Sequence, residues 1–103
     1  MSLLVHYTLK SADDHAAQTA AMTALVADLK SEGIAGSDGL HYACFATTDP
    51  TKFVGILEFD SDTGKDAFLG SKAFATYRET VTPIFANPPE PSPITPIATT
   101  RAL

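Results

Sequence analysis

At 103 residues, with 45% apolar and 18% charged side chains, the chain has room for one folded domain and is too apolar to be disordered. Its formal net charge of -5, with no Lys/Arg cluster set against it, excludes a nucleic-acid backbone as partner and suits a neutral or aromatic small molecule better. A single cysteine, Cys44, rules out an intrachain disulfide and a Cys-rich metal site, and its place in an apolar run reads as a small buried hydrophobe.

Leu3 to Leu9, rich in β-branched and aromatic residues, predicts a first strand. Ser11 stands three residues ahead of Asp14, the pattern of a helix start, and an Ala-rich helix is expected from about Asp13 to Glu32. Met22, Leu25, Val26 and Leu29 form its apolar stripe, and Gly33 stops it. Gly39 to Thr47 predicts a second strand, Thr48 to Thr51 a turn built on Asp49 and Pro50, and Phe53 to Phe59 a third strand closing a hairpin. A short helix is expected from Asp60 to Leu69. Ser71 then caps a further helix carrying Phe74, Tyr77 and Val81 on one side, which Pro83 must tighten or kink.

Five of the seven prolines fall between Asn87 and Pro96, which reads as an extended surface segment anchored by Ile94 and Ile97, ahead of a short edge strand over Pro96 to Thr100. The whole of 1–103 is thus expected to be one α+β domain of βαββαβ order, the ferredoxin-like arrangement with an antiparallel sheet. No segment approaches the roughly 20 apolar residues of a bilayer span, and the first residues lack the basic leader of a signal peptide. The expected compartment is the cytoplasm, with no membrane partner.

The strands are apolar on both faces. In the third, Phe53, Leu57 and Phe59 alternate with Val54 and Ile56, whereas an antiparallel sheet with one wet face alternates apolar with polar. This element order supplies helices for one face only. The other face predicts a homodimer packed sheet to sheet; the competing expectation is a monomer whose proline-rich segment folds across that face.

The stretch from Phe59 to Tyr77 resembles the antibiotic biosynthesis monooxygenase (ABM) family of the dimeric α/β barrel superfamily. Members show Asp-Pro-x-x-Phe ahead of a strand ending in Glu-x-Trp, then Ala-x-His-Leu-x-Ser, then Phe-x-x-Phe/Tyr. Asp49-Pro50-Thr51-Lys52-Phe53, Glu58-Phe59, Ala67-Phe68-Leu69 with Ser71, and Phe74 with Tyr77 take those places. The likeness runs through nearly the whole chain. It implies a dimeric barrel and a small apolar or aromatic ligand held between sheet and helices. The reaction it implies is cofactor-independent monooxygenation of an aromatic or polyketide-like substrate. Two positions depart from the pattern: Phe59 replaces the family's Trp, and Phe68 replaces the His that ligates iron in the haem-degrading branch. Phe cannot ligate iron, so the usual haem chemistry is disfavoured.

An oxygenase without a cofactor needs a group to take a phenolic proton and a dry pocket to hold the resulting charge. His6, His15 and His41 are the candidate bases. His15, at the helix start, is expected to be solvated; His6 is expected on the face between the two sheets, in a structural role; His41 is left open. Tyr7, Tyr42, Phe59, Phe68, Phe74 and Tyr77 are the candidate ligand-pocket residues, each with plain core packing as the competing reading. Arg78 reads either as an exposed helix charge or as the partner of a ligand anion, and Glu58 as a buried acid or an ion-pair partner across a dimer. No catalytic residue is singled out. No phosphate loop, metal-spaced cluster or nucleophile elbow occurs, so no cofactor or metal is expected. The alternative to an enzyme is a non-catalytic ligand-binding or stress-response protein on the same barrel.

Overall fold

The structure is a computed structural model, described here over residues 2–34, 40–59 and 61–98. Strand β1 (Ser2–Thr8) leads through a 3₁₀ turn, Ala12–Asp14, into helix α1 (His15–Ser31). The Ser11 hydroxyl accepts from the Asp13 amide at 3.1 Å, so the turn is capped and the α-helix proper begins later than the Ala-rich composition suggests. At its other end the Ile34 amide donates to the Leu29 carbonyl at 2.9 Å and the Gly33 amide to the Lys30 carbonyl at 3.1 Å. Gly33 has φ of 72°, the left-handed conformation that this double closure requires.

Strands β2 (Leu40–Ala46) and β3 (Lys52–Phe59) form the expected hairpin. The Asp49 carboxylate fixes its turn, accepting from the Thr51 amide at 2.9 Å and the Thr51 hydroxyl at 2.7 Å. Helices α2 (Asp62–Leu69) and α3 (Lys72–Val81) follow, each with a serine N-cap. The buried Ser71 joins them: its hydroxyl donates to the Phe68 carbonyl at 2.7 Å and accepts from the Phe74 amide at 3.1 Å. Pro83 acts as expected, since the chain tightens into a 3₁₀ turn at Thr82–Ile84.

Strand β4 is Glu90–Ile94, inside the proline-rich segment. This corrects the expectation of a strand over Pro96 to Thr100: residues 95–98 are outside any strand, and 99 and 100 lie outside the described residues. The prolines cause no break because they alternate. In the antiparallel register, Pro91 lies opposite Val5 and Pro93 opposite Leu3. Glu90, Ser92 and Ile94 therefore have the parity that keeps an amide toward β1, and the missing donors fall on the outer edge. Ile94 remains 37% exposed and Ile97 fully so, which removes the anchoring expected of Ile97.

The sheet order is β2-β3-β1-β4, all neighbours antiparallel, the ferredoxin-like topology. Val5, Tyr7, Leu9, Leu40, Phe53, Leu57 and Phe59 are buried on the side that meets the helices, where Met22, Leu25 and Leu29 of α1 and Tyr77 and Val81 of α3 complete the core. The other sheet face carries Leu4, His6, Ala43, Phe45, Val54, Ile56 and Ile94; none of them is fully buried, and Phe45 is 53% exposed. The proline-rich segment runs along the sheet edge and does not cross this face. Among the described residues no helix is long and apolar enough to cross a membrane.

Candidate functional site

Strand alternation points Tyr7 of β1 and Tyr42 of β2 to the helix side, and the two hydroxyls meet in a direct hydrogen bond. Their strands are not neighbours. Strand β3 lies between them, with Gly55 opposite Val5 on one side and Cys44 on the other. A Cβ at Gly55 would stand 3.0 Å from Tyr7 Cε2, 3.1 Å from Tyr7 Oη and 3.4 Å from Tyr42 Cε1. The missing side chain is thus what lets both rings close over the middle strand.

Helices α2 and α3 bring three further aromatic rings to this pair. Phe68 is central, with ring centroids 4.6 Å from Phe74, 5.9 Å from Tyr42 and 6.0 Å from Phe59. The Ser71 joint sets the Phe68–Phe74 pairing, because it binds the backbone of both residues. Tyr77 of α3 is held from behind by Gln18 of α1, which is fully buried. The Gln18 amide nitrogen donates to the Tyr77 hydroxyl at 2.9 Å, and its carbonyl oxygen lies 3.2 Å from the same hydroxyl. Sequence reasoning missed Gln18. Its signal is position, four residues ahead of Met22, which extends the apolar stripe back by one turn with a polar residue.

These six aromatic residues line one cavity of about 860 Å³ between the sheet and α2–α3, with Pro88, Pro89, Pro91 and Pro93 along one rim. Apart from the phenols its wall is largely apolar. Among the described residues the charged side chains in that wall are Lys65 of α2, half-buried, and Arg78 of α3, exposed. The Arg78 guanidinium carbon lies 5.1 Å from the centre of the Phe74 ring, a cation–π contact.

Burial sets the protonation of the polar groups. It pushes Tyr7, Tyr42 and Tyr77 above the ordinary phenol range, and the Cys44 thiol up to about 11. At neutral pH the three phenols are uncharged, so they offer hydrogen bonds and do not act as bases. The Tyr7–Tyr42 bond uses one of two hydroxyl hydrogens and leaves one for another acceptor.

None of the three histidines lines this cavity. His6 is exposed on the open sheet face, opposite Val54 and Glu90. His41 is exposed on the same face, opposite Glu58, in a smaller cleft of about 340 Å³ at the β2 edge. His15 departs from the solvated expectation. Its ring stacks on Phe53 with centroids 4.9 Å apart, and its Nδ1 is 3.0 Å from the Pro50 carbonyl oxygen. It pins the start of α1 to the β2–β3 turn, a structural task. Among the described residues no group of three or more His, Cys, Asp or Glu side chains is placed to hold a metal ion.

No family model and no curated protein matches the chain. Solved structures do. A Nitrosomonas europaea protein named for antibiotic biosynthesis monooxygenase superposes with a TM-score of 0.80 at 20% identity, over 97% of this chain and 92% of the other. A Bacteriodes thetaiotaomicron protein of the same designation gives 0.79 at 14% identity, over 100% and 94%. Rv0793 from Mycobacterium tuberculosis gives 0.77 at 19% identity, over 97% of both chains. At such identities the likeness shows the fold: this chain has the α+β ferredoxin-like fold of the antibiotic biosynthesis monooxygenase proteins.

Proposed function

We propose that the protein binds an aromatic small molecule in the large cavity and oxygenates it with molecular oxygen, using no cofactor. The observation that carries this reading is the cavity itself. Its volume of about 860 Å³ falls within the usual range for small-molecule sites, and flat rings line it with a neutral phenol pair inside. The designations of the structural neighbours support the oxygenase part of the proposal.

In the proposed reaction a methylene activated by a neighbouring phenol loses a proton, and the resulting anion reduces oxygen. One oxygen atom stays on the carbon as a carbonyl and the other leaves as water; the methylene supplies all four electrons. The role of the chain is to hold the rings, exclude water and stabilise the anion. The remaining hydroxyl hydrogen of the Tyr7–Tyr42 pair donates to the substrate oxygen on which negative charge develops. Among the described residues no imidazole or carboxylate lines the cavity, so the substrate's proton leaves through the open mouth to solvent.

That missing base favours a second reading, a non-catalytic ligand-binding or stress-response protein. Oxygen uptake with a polyphenol panel separates the two. The oxygenase reading expects protein-dependent uptake, with oxygen from labelled O₂ in the product and a loss of about 100-fold in Tyr42→Phe, the scale of one anion-stabilising donor. Saturable binding without uptake overturns it in favour of the second reading.

We propose further that two chains pair through their open sheet faces. Phe45 is 53% exposed and Ile94 37% exposed there, and Leu4, Val54 and Ile56 extend the apolar area between them. Two-fold pairing of identical faces buries such a patch on both chains at once.

A further inference from the structure

We infer that the cavity takes an amphipathic aromatic anion: a ring system among the aromatic walls, with a carboxylate at the mouth against Lys65 and Arg78. The inference rests on the cavity being an aromatic-ligand site and narrows the ligand's class. The chain has twelve acidic residues against seven basic ones, so an arbitrary stretch of its surface is more often negative than positive. The cavity reverses that balance. Among the described residues its charged lining residues are both cations and none is a carboxylate. Asp62 and Asp66 on α2, and Glu79 on α3, are exposed and lie outside the lining. The two cations come to the lining from different helices, which Ser71 joins.

Arg78 is not a loose surface charge. Its guanidinium rests over Phe74, at 5.1 Å, and Phe74 packs on Phe68, at 4.6 Å. A guanidinium over a ring face still has N–H groups to offer a planar anion, and carboxylates can take them in pairs. The apolar wall beside it lowers the local dielectric and strengthens the pairing. At the inner end, the Tyr7–Tyr42 pair asks for an oxygen acceptor such as a carbonyl or phenol. An acceptor oxygen inside and an anion at the mouth describe an oxygenated aromatic acid. The overall acidity of the chain argues against an anionic polymer, but it does not extend to this mouth.

Calorimetric titration with an anthraquinone monocarboxylate and its uncharged carboxamide tests the inference. The two probes share ring and carbonyls and differ in the charge. The acid is expected to bind about ten-fold tighter than the amide, one charge-assisted pair's worth, and added salt should weaken the acid alone. Arg78→Gln and Lys65→Gln should each weaken the acid more than the amide and so narrow that advantage. Equal binding of acid and amide to the wild type overturns the anion inference while the aromatic site stands. Binding of neither overturns both.

Discussion

Three phenols and one thiol sit beside the cavity, and burial holds each in its protonated form. A group whose folded pKa lies above its unfolded value stabilises the fold fully below the unfolded value and loses that contribution as pH rises through the folded one. For Cys44 the window runs from 9.0 to about 11. For the tyrosines it opens at 10.0 and extends above. Stability should therefore hold through neutral pH and fall from about pH 9 upward. The ultraviolet signal of phenolate should appear together with loss of the near-ultraviolet circular dichroism. Smooth titration of any tyrosine near pH 10 in the folded protein would contradict its burial. The aromatic candidates could be named from strand alternation and helix spacing, because those periods are local. That Tyr7 meets Tyr42 could not, since the meeting depends on the register of two strands across a third. Gln18 and the contacts of His15 went unrecognised for a related reason: each residue is fixed by a partner, Tyr77 or Pro50, far away in sequence.

At the level of elements, β3 is the strand on which the site depends, and Gly55 is its open point. Gly55→Ala would place a methyl 3.0 Å from the Tyr7 ring, whose movement is limited by Tyr42 on one side and Phe85 on the other. Alanine recovers roughly 0.5 to 1 kcal/mol of backbone entropy within a strand, whereas overpacking a filled interior costs about 1 to 3 kcal/mol. The net expectation is a loss of about 1 kcal/mol in denaturant unfolding, with weaker ligand binding because the hydroxyl pair is pushed apart. A stabilised variant with unchanged binding would mean that the cradle is loose. The joint between α2 and α3 offers a second test. Ser71→Ala removes both the α3 cap and the bond to the Phe68 carbonyl, and should cost about 1 to 2 kcal/mol in the same measurement; a change under a few tenths would show the cap to be replaceable. Most elements were legible because hydrophobic period, caps and turn residues agree, as in α1 with its stripe and its Gly33 stop. The last strand was misplaced because proline density was weighed without parity. Pro91 and Pro93 are compatible with an edge strand, since both give up donors on its free side.

For the whole molecule, the apolar face without helices was legible as a pattern, since Val54 and Ile56 alternate with buried residues. What covers that face lies outside a single chain. If two copies pair there, the wild type should sediment as a dimer at micromolar concentration. Phe45→Glu should then sediment as a monomer, with thermal unfolding lowered by the loss of the pairing, because Phe45 is 53% exposed in one chain and covered only by the partner. A wild-type monomer at that concentration would contradict the pairing.

The central claim, that the cavity is a ligand site, has a built-in reporter. The chain has no tryptophan and three tyrosines, and all three line the cavity. Its tyrosine emission therefore comes wholly from the cavity wall. The most direct measurement is that emission, corrected for absorbance, during titration with a panel of polyphenols and anthraquinones. The account predicts saturable quenching at one site per chain by at least one member of the panel. Emission that never saturates, or does not change across the whole panel, would contradict the claim and leave the six aromatic residues as packing alone.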